Sequence, residues 1–73
     1  MLHDLIAAAI DRSGIPVAEL ARRIGVSRAA VYRWTAGESI PRSDHLARLL
    51  QEVQAPRRVW SAALDAAAEG GEE

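Results

Sequence analysis

Arginine is the residue through which this chain could bind an anion. All nine basic residues are arginine, and lysine does not occur in the 73 residues. A guanidinium donates paired hydrogen bonds that match a phosphate or the edge of a guanine, which the ammonium of lysine cannot do. The chain also contains fifteen alanines, and a GC-rich genome would favour both arginine and alanine. Composition alone therefore leaves a functional and a compositional explanation open.

The arginines are unevenly distributed along the chain. The formal net charge of −1 argues, as a bulk value, against a nucleic-acid partner. Residues 12–58 nevertheless contain all nine arginines and four acids, a net charge of +5, whereas the two flanks together carry −6. The acids are Glu19, Glu38, Asp44 and Glu52 in the middle and Asp4, Asp11, Asp65, Glu69, Glu72 and Glu73 in the flanks. A basic middle between acidic ends indicates an anionic partner.

Other kinds of chemistry have little support in the sequence. The chain has no cysteine, which excludes disulfides and thiolate zinc sites. His3 and His45 fall in different predicted helices without a cluster of further ligands, so we predict no metal and no other cofactor. No nucleophile motif or glycine-rich phosphate loop is present, which argues against an enzyme. With no apolar run approaching 18 residues and no signal-peptide pattern, we expect a cytoplasmic protein without membrane contact.

Helices must position these arginines. Apolar residues recur at spacings of three and four, which predicts an all-α fold in one domain, residues 1–69, followed by a frayed acidic tail over 70–73. Residues that mark helix boundaries recur along the chain: glycine favours the C-terminal end of a helix and serine the N-terminal end. The predicted helices are a first one ending at Gly14, a second over about Val17 to Ile24, a third from Ser27 to Gly37, a fourth capped by Ser43, and a fifth over about 56–68 opened by Pro56.

The second and third helices, joined by Gly25-Val26-Ser27, have the spacing of a helix-turn-helix over about 17–36. Ala21 falls where the two helices pack most closely, which requires a small side chain. Gly25 falls in the turn, where a positive φ would strain any residue with a Cβ. Val31 lies where it fixes the second of these helices against the first. The sequence therefore predicts this motif at its centre.

The segment from Leu20 to Trp34, LARRIGVSRAAVYRW, resembles the helix-turn-helix domains of the Cro and phage-repressor type. Gly37, Pro41 and the leucine-rich fourth helix extend the resemblance to about residues 2–53. The resemblance implies a compact, lambda-repressor-like bundle of four to five helices that binds double-stranded DNA sequence-specifically, as a homodimer. It also implies a bacterial, nucleoid-associated protein encoded either by the bacterium or by a phage.

A recognition helix enters the major groove with its N-terminal residues at the base edges. Arg28 and Arg33 match guanine O6 and N7, and Ala29 offers a methyl group to thymine. Tyr32 lies at the edge, where it would touch either the sugar-phosphate backbone or a second subunit. The outward positions of the third helix, and hence the predicted base-reading residues, are Ser27, Arg28, Ala29, Tyr32 and Arg33.

Phosphate contacts position a DNA-binding domain without reading sequence. Arg42 and Ser43, beside the start of the fourth helix, can offer a charge, a hydroxyl and backbone N–H groups to one phosphate. Arg12 and Arg23 are further predicted phosphate contacts. Relatives often carry a Ser-Gln pair at the start of the second helix, where this chain has Pro16-Val17, so that side-chain anchor is missing.

Apolar residues of the fifth helix suit either the core of the monomer or a dimer interface, and we predict both uses. The predicted interface residues are Val59, Trp60 and Leu64. The preferred function is a Cro-like repressor that binds a palindromic operator as a dimer with its third helix in the major groove. The alternative is a protein-interaction module, such as an antitoxin or assembly adaptor, whose fifth helix or acidic tail contacts a protein partner.

Overall fold

The structure is a computed structural model that describes residues 2–68, so the predicted acidic tail over 70–73 lies outside the described residues. The described part is all-helical, as the sequence predicted. Its elements are α1 (Leu2–Ser13), α2 (Val17–Ile24), α3 (Arg28–Ala36), α4 (Ser43–Glu52) and α5 (Arg57–Ala68). No strand occurs within residues 2–68. None of these helices combines the length and hydropathy that a bilayer span requires.

The five helices form one bundle around a common apolar core. α1 packs against α3 and α5, α2 packs against α3 and α4, and α4 also contacts α5. Among the described residues no polar or charged side chain is buried, so the core is held by apolar contacts alone. Its most completely buried side chains are Ile6, Leu20, Val31, Leu49 and Leu50.

The end of α3 shows why Gly37 is required there. Gly37 adopts a left-handed conformation with φ of 80°, which a residue with a Cβ adopts only with strain. A Cβ at this position would also lie 3.0 Å from the imidazole of His3. Conformation and close packing against α1 therefore both select glycine, as the predicted helix end implied.

The start of α4 differs from the prediction. Arg42, not Ser43, is the N-cap residue: its backbone is extended, and its own side chain makes no capping hydrogen bond. The backbone N–H of Leu46 donates to the Arg42 carbonyl (N···O 2.8 Å), which makes Ser43 the first helical residue. A serine already in the helix no longer has the extended backbone from which a cap side chain reaches back, so the predicted Ser43 cap is wrong.

The apolar residues of α5 divide between the core and the surface. Val59 and Ala63 are buried, with 3% and 2% exposure, and Trp60 is half-buried, whereas Leu64 is 64% exposed. At about 100° per residue, Leu64 is turned roughly 100° away from Ala63 around the helix axis. Val59 therefore belongs to the core and is not available for the predicted interface, while Leu64 faces solvent.

Candidate nucleic-acid interface

The turn between α2 and α3 has the predicted geometry. Gly25 caps α2 with φ of 92° and ψ of 31°, and its N–H donates to the Ala21 carbonyl (N···O 2.8 Å). Nothing lies within 4 Å of a Cβ built on Gly25. Its backbone conformation, not crowding, therefore requires glycine at this turn. Ala21 is 2% exposed, consistent with the small side chain expected where the two helices pack.

Ser27 caps α3 as predicted. Its hydroxyl oxygen accepts a hydrogen bond from the backbone N–H of Ala30 (N···O 3.1 Å), and its own backbone is extended. This bond fixes the N-terminal turn of the helix and leaves the hydroxyl hydrogen free to donate. The cap therefore fixes the backbone that carries the first side chains of α3 after Ser27.

The five predicted base-reading residues all lie on the exposed face of α3. Val31 and Trp34, with 0% and 6% exposure, anchor the opposite face in the core. Tyr32 is 57% exposed, the highest exposure of any aromatic side chain among residues 2–66. The structure thus brings these five side chains together on one accessible surface, and their contact with bases stays a prediction.

Arg28 and Arg33 lie at the two margins of this exposed face. They are five positions apart, which corresponds to about 140° around the axis and about 7.5 Å along it, with Ala29 and Tyr32 between. Within residues 2–68 neither guanidinium has a hydrogen-bond or ion-pair partner. α3 also has no acidic residue in its first turn. Both charges are therefore available to an external anion without breaking an internal contact.

The arginines of α2 and α4 are arranged differently, because two carboxylates hold them. Glu19 accepts hydrogen bonds from Arg22 (2.6 Å) and Arg23 (2.9 Å). Glu52 accepts from Arg23 (3.2 Å) and from Arg48 (2.8 Å). Arg23 thus bridges Glu19 of its own helix to Glu52 of α4. We call these five residues the α2–α4 charge cluster.

The charge cluster shifts the proton equilibria of its members. Hydrogen bonds from Arg22 and then Arg23 lower the pKa of Glu19 below its ordinary value. The hydrogen bond from Arg48 is the main cause of the lowered pKa of Glu52. The same contacts raise the pKa of Arg22 and Arg23. Both carboxylates are consequently ionised at neutral pH and neutralise much of the positive charge on this surface.

The predicted phosphate contact at the start of α4 combines basic and acidic groups. Arg42 and Ser43 are both exposed. Arg42 approaches Asp44 (N···O 3.3 Å), while the other oxygen of Asp44 accepts from the backbone N–H of His45 (2.9 Å). That backbone hydrogen bond is the main cause of the lowered pKa of Asp44. An incoming phosphate would therefore compete with Asp44 for Arg42.

An open cleft joins the end of α3 to the start of α4. Arg33 and Arg42 both line it, so the structure brings one predicted base contact and one predicted phosphate contact to the same surface. Ser39 and His45 line the cleft too, and neither is among the DNA contacts predicted from the sequence. The ring of His45 lies 6.1 Å from that of Trp34. In the sequence, His45 is recognisable only as a helical position four residues before the buried Leu49. That spacing does not identify a ligand.

Arg12 and Arg23 lie elsewhere. Arg12 lines a shallow depression with Val53 and Gln54, and Arg23 lines the neighbouring one with the same two residues. Both depressions lie at the C-terminal end of α4, about 15 Å along the helix from Arg42. The four predicted phosphate contacts therefore do not share one surface: Arg42 lines the cleft beside α3, Ser43 lines a groove between α4 and α5, and Arg12 and Arg23 lie at the far end of α4.

Comparison with known proteins agrees with this geometry. A protein-family model described as helix-turn-helix matches residues 6–56, more than two thirds of the chain. No curated protein and no solved structure matches the chain significantly. The matched range includes α2, the turn, α3 and α4, and thus both the exposed arginines of α3 and the cleft beside them.

Proposed function

Because the chain belongs to the Cro/C1-type helix-turn-helix family of DNA-binding transcription regulators, we propose that it is a repressor acting on a palindromic operator. In this proposal two copies bind two half-sites, and each places α3 in the major groove. Occupation of the operator blocks access to a promoter. A cytoplasmic location in a bacterium, on the nucleoid, follows from the same proposal.

The contrast in arginine pairing is the observation that supports this function best. Arg28 and Arg33 are unpaired within residues 2–68, while three other arginines are tied to Glu19 and Glu52. Desolvated, unpaired guanidiniums at the base edges bind guanine O6 and N7 bidentately. Ser27 would donate its remaining hydroxyl hydrogen, and Ala29 and Tyr32 would contact the bases or backbone between the two arginines.

The cleft between α3 and α4 supports a particular docking geometry. Arg33 and Arg42 on its two sides would allow one residue to reach a base while the other grips the adjacent phosphate. Ser43, which lines the neighbouring groove between α4 and α5, would add its hydroxyl and its backbone N–H at the start of α4. Arg12 and Arg23 lie too far from this cleft to share the same phosphate, and we assign them at most peripheral contacts.

Measurement of DNA binding against salt concentration tests the proposal. The logarithm of the binding constant should fall linearly with the logarithm of salt concentration, with a slope of about −0.9 per phosphate neutralised. Selection from a random duplex library should return a palindrome whose half-sites lie about one helical turn apart. Salt-independent binding, or no enrichment of any sequence, would contradict it and would favour the protein-interaction module instead.

A further inference from the structure

The cleft between α3 and α4 contains a histidine beside its two arginines. Arg33 lines it from the end of α3, Arg42 from the residue before α4, and His45 from the first turn of α4. Histidine is the side chain that ordinarily changes charge between about pH 5 and about pH 8, whereas arginine stays charged. The cleft therefore combines two permanent positive charges with one that depends on pH.

The imidazole of His45 is held in place by packing and not by a hydrogen bond. Its ring lies 6.1 Å from that of Trp34 at an interplanar angle of 34°, and Trp34 is buried in the core. Within residues 2–68 neither ring nitrogen of His45 has a hydrogen bond or an ion pair, and neither is shut away from solvent. Both nitrogens are consequently available to a ligand that enters the cleft.

The charged groups around His45 come from three parts of the chain. α3 contributes Arg33, the loop contributes Arg42, and α4 contributes Asp44, which approaches Arg42 and accepts from the backbone N–H of His45. Arg48, one turn further along α4, is already paired with a carboxylate. With two arginines against one aspartate, the cleft carries a net charge of +1 while His45 is neutral and +2 when it is protonated.

The nearby acids do not account for a pH dependence in the histidine range. The hydrogen bond from the backbone N–H of His45 lowers the pKa of Asp44 below its ordinary value, so this carboxylate is ionised at every pH at which histidine titrates. Glu38, in the loop after α3, is exposed and is not among the residues that line the cleft. A change in the charge of the cleft near neutral pH therefore arises at His45.

We infer that His45 is a further DNA-contacting residue, whose protonated imidazole donates a hydrogen bond to the phosphate that Arg42 contacts. The inference rests on the proposed function, because it places the DNA backbone in this cleft. Both nitrogens of a protonated imidazole are donors, and a hydrogen bond between a charged donor and a phosphate is about twice as strong as one between neutral groups. Bound DNA therefore favours the charged form of His45.

The direction of the pH dependence follows from proton uptake. Because the complex binds more protons at His45 than the free protein does, affinity for DNA rises as pH falls through the histidine range. A phosphate contact carries no base information. The gain should consequently be the same for a selected operator and for a duplex of random sequence.

Titration of a random-sequence duplex at fixed salt, at about pH 7.5 and about pH 5.5, tests this inference. The wild type should bind about tenfold more tightly at the lower pH. His45→Gln, which cannot be protonated, should lose this gain. His45→Arg, which is always charged, should bind at both pH values about as tightly as the wild type does in acid.

Calorimetry measures the proton directly. Titration of the wild type with the same duplex at about pH 6.5, in two buffers of different ionisation enthalpy, should show uptake of part of a proton. His45→Gln and His45→Arg should show none. Thermal unfolding of each variant at both pH values establishes that it is folded, and His45→Arg keeps the test valid if His45→Gln is not.

His3→Gln is the matched control, since His3 is the other of the two histidines in the chain. His3 lines a different cavity with Leu2 and Ile6, which neither arginine of the cleft lines, and its ring lies 3.4 Å from Asp4. This variant should keep the pH dependence of the wild type. An equal reduction in His3→Gln and His45→Gln would mean that overall charge, and not a contact at His45, sets the affinity.

The outcomes separate this inference from the function on which it rests. Wild-type binding that is salt-dependent but unaffected by pH, or a pH dependence that survives in His45→Gln, would overturn the role of His45 and leave the DNA-binding proposal intact. Absence of salt-dependent binding to any duplex at both pH values would contradict the proposed function itself.

Discussion

Two sets of arginines in this small protein differ in whether a carboxylate pairs with them. In α3, Arg28 and Arg33 stand on an exposed face without an internal partner in the described chain, whereas the α2–α4 charge cluster holds Arg22, Arg23 and Arg48. The residue type is the same in both sets. The difference lies in the neighbours: Glu19 precedes Arg22 and Arg23 by three and four residues, and α3 contains no acid.

This difference separates charge that stabilises the fold from charge that is available to a ligand. An arginine bound to a carboxylate must break that contact before it can bind a phosphate, and it gains correspondingly less. An unpaired arginine on a capped helix has no such cost. Net charge therefore does not show which arginines are available, because Arg22, Arg23 and Arg48 are neutralised together whereas Arg28 and Arg33 are unpaired on the exposed face of α3.

Removal of a free arginine should have the largest effect. Arg28→Ala or Arg33→Ala should weaken binding to the selected operator by about 5- to 150-fold and relax the preference at one base pair. Arg48→Ala, from the charge cluster, is the matched control and should leave sequence preference unchanged. Binding titrations against operators with single base-pair changes measure this, and equal losses for Arg28→Ala on all sequences would contradict a role in base reading.

Removal of Arg42 should have an intermediate and uniform effect. Arg42→Ala should weaken binding to operator and random duplex by the same factor, about tenfold at low salt, and reduce the salt slope by about 0.9. Ser39→Ala, in the same cleft without a charge, should leave the slope unaltered. A change of sequence preference in Arg42→Ala would show that this residue reads bases.

Release of the paired arginines should have a smaller effect in the opposite direction. The double variant Glu19→Gln, Glu52→Gln frees Arg22, Arg23 and Arg48 from their carboxylates. Binding to random duplex should strengthen a few-fold at low salt, with a steeper salt slope for each arginine that reaches a phosphate. Asp11→Asn, which removes a carboxylate outside the charge cluster, should change binding less. An unchanged slope in the double variant would mean that this surface never approaches DNA.

The pH dependence of stability should show the smallest effect. The lowered pKa values of Glu19 and Glu52 mean that the cluster stabilises the fold fully above the ordinary glutamate value of 4.5 and loses this contribution as pH falls through the lowered values. Thermal unfolding should give the wild type a slightly higher Tm than the double glutamine variant at pH 7. The difference should shrink in acid, and a constant difference would contradict the assignment.

Local patterns predicted the helix-turn-helix itself. Ser27 and Gly25 act through their own backbone geometry, so their roles follow from residue type and position. The outward residues of α3 follow from the helical period once Val31 and Trp34 are assigned to the core. The Ser43 cap failed because α4 begins one residue earlier than predicted, so that Arg42 takes the N-cap position and Ser43 is the first helical residue.

The sequence by itself determined the five helices, the family resemblance and the exposed arginine face of α3, because helix periodicity and capping act between residues a few positions apart. Only the tertiary structure decided that Arg23 is tied to Glu52 across 29 residues, that Arg33 and Arg42 line one cleft, and that Leu64 is left in solvent beside a buried Val59. These outcomes depend on how the helices are oriented against one another. That orientation arises from packing of the whole core at once, which no short segment of the chain encodes.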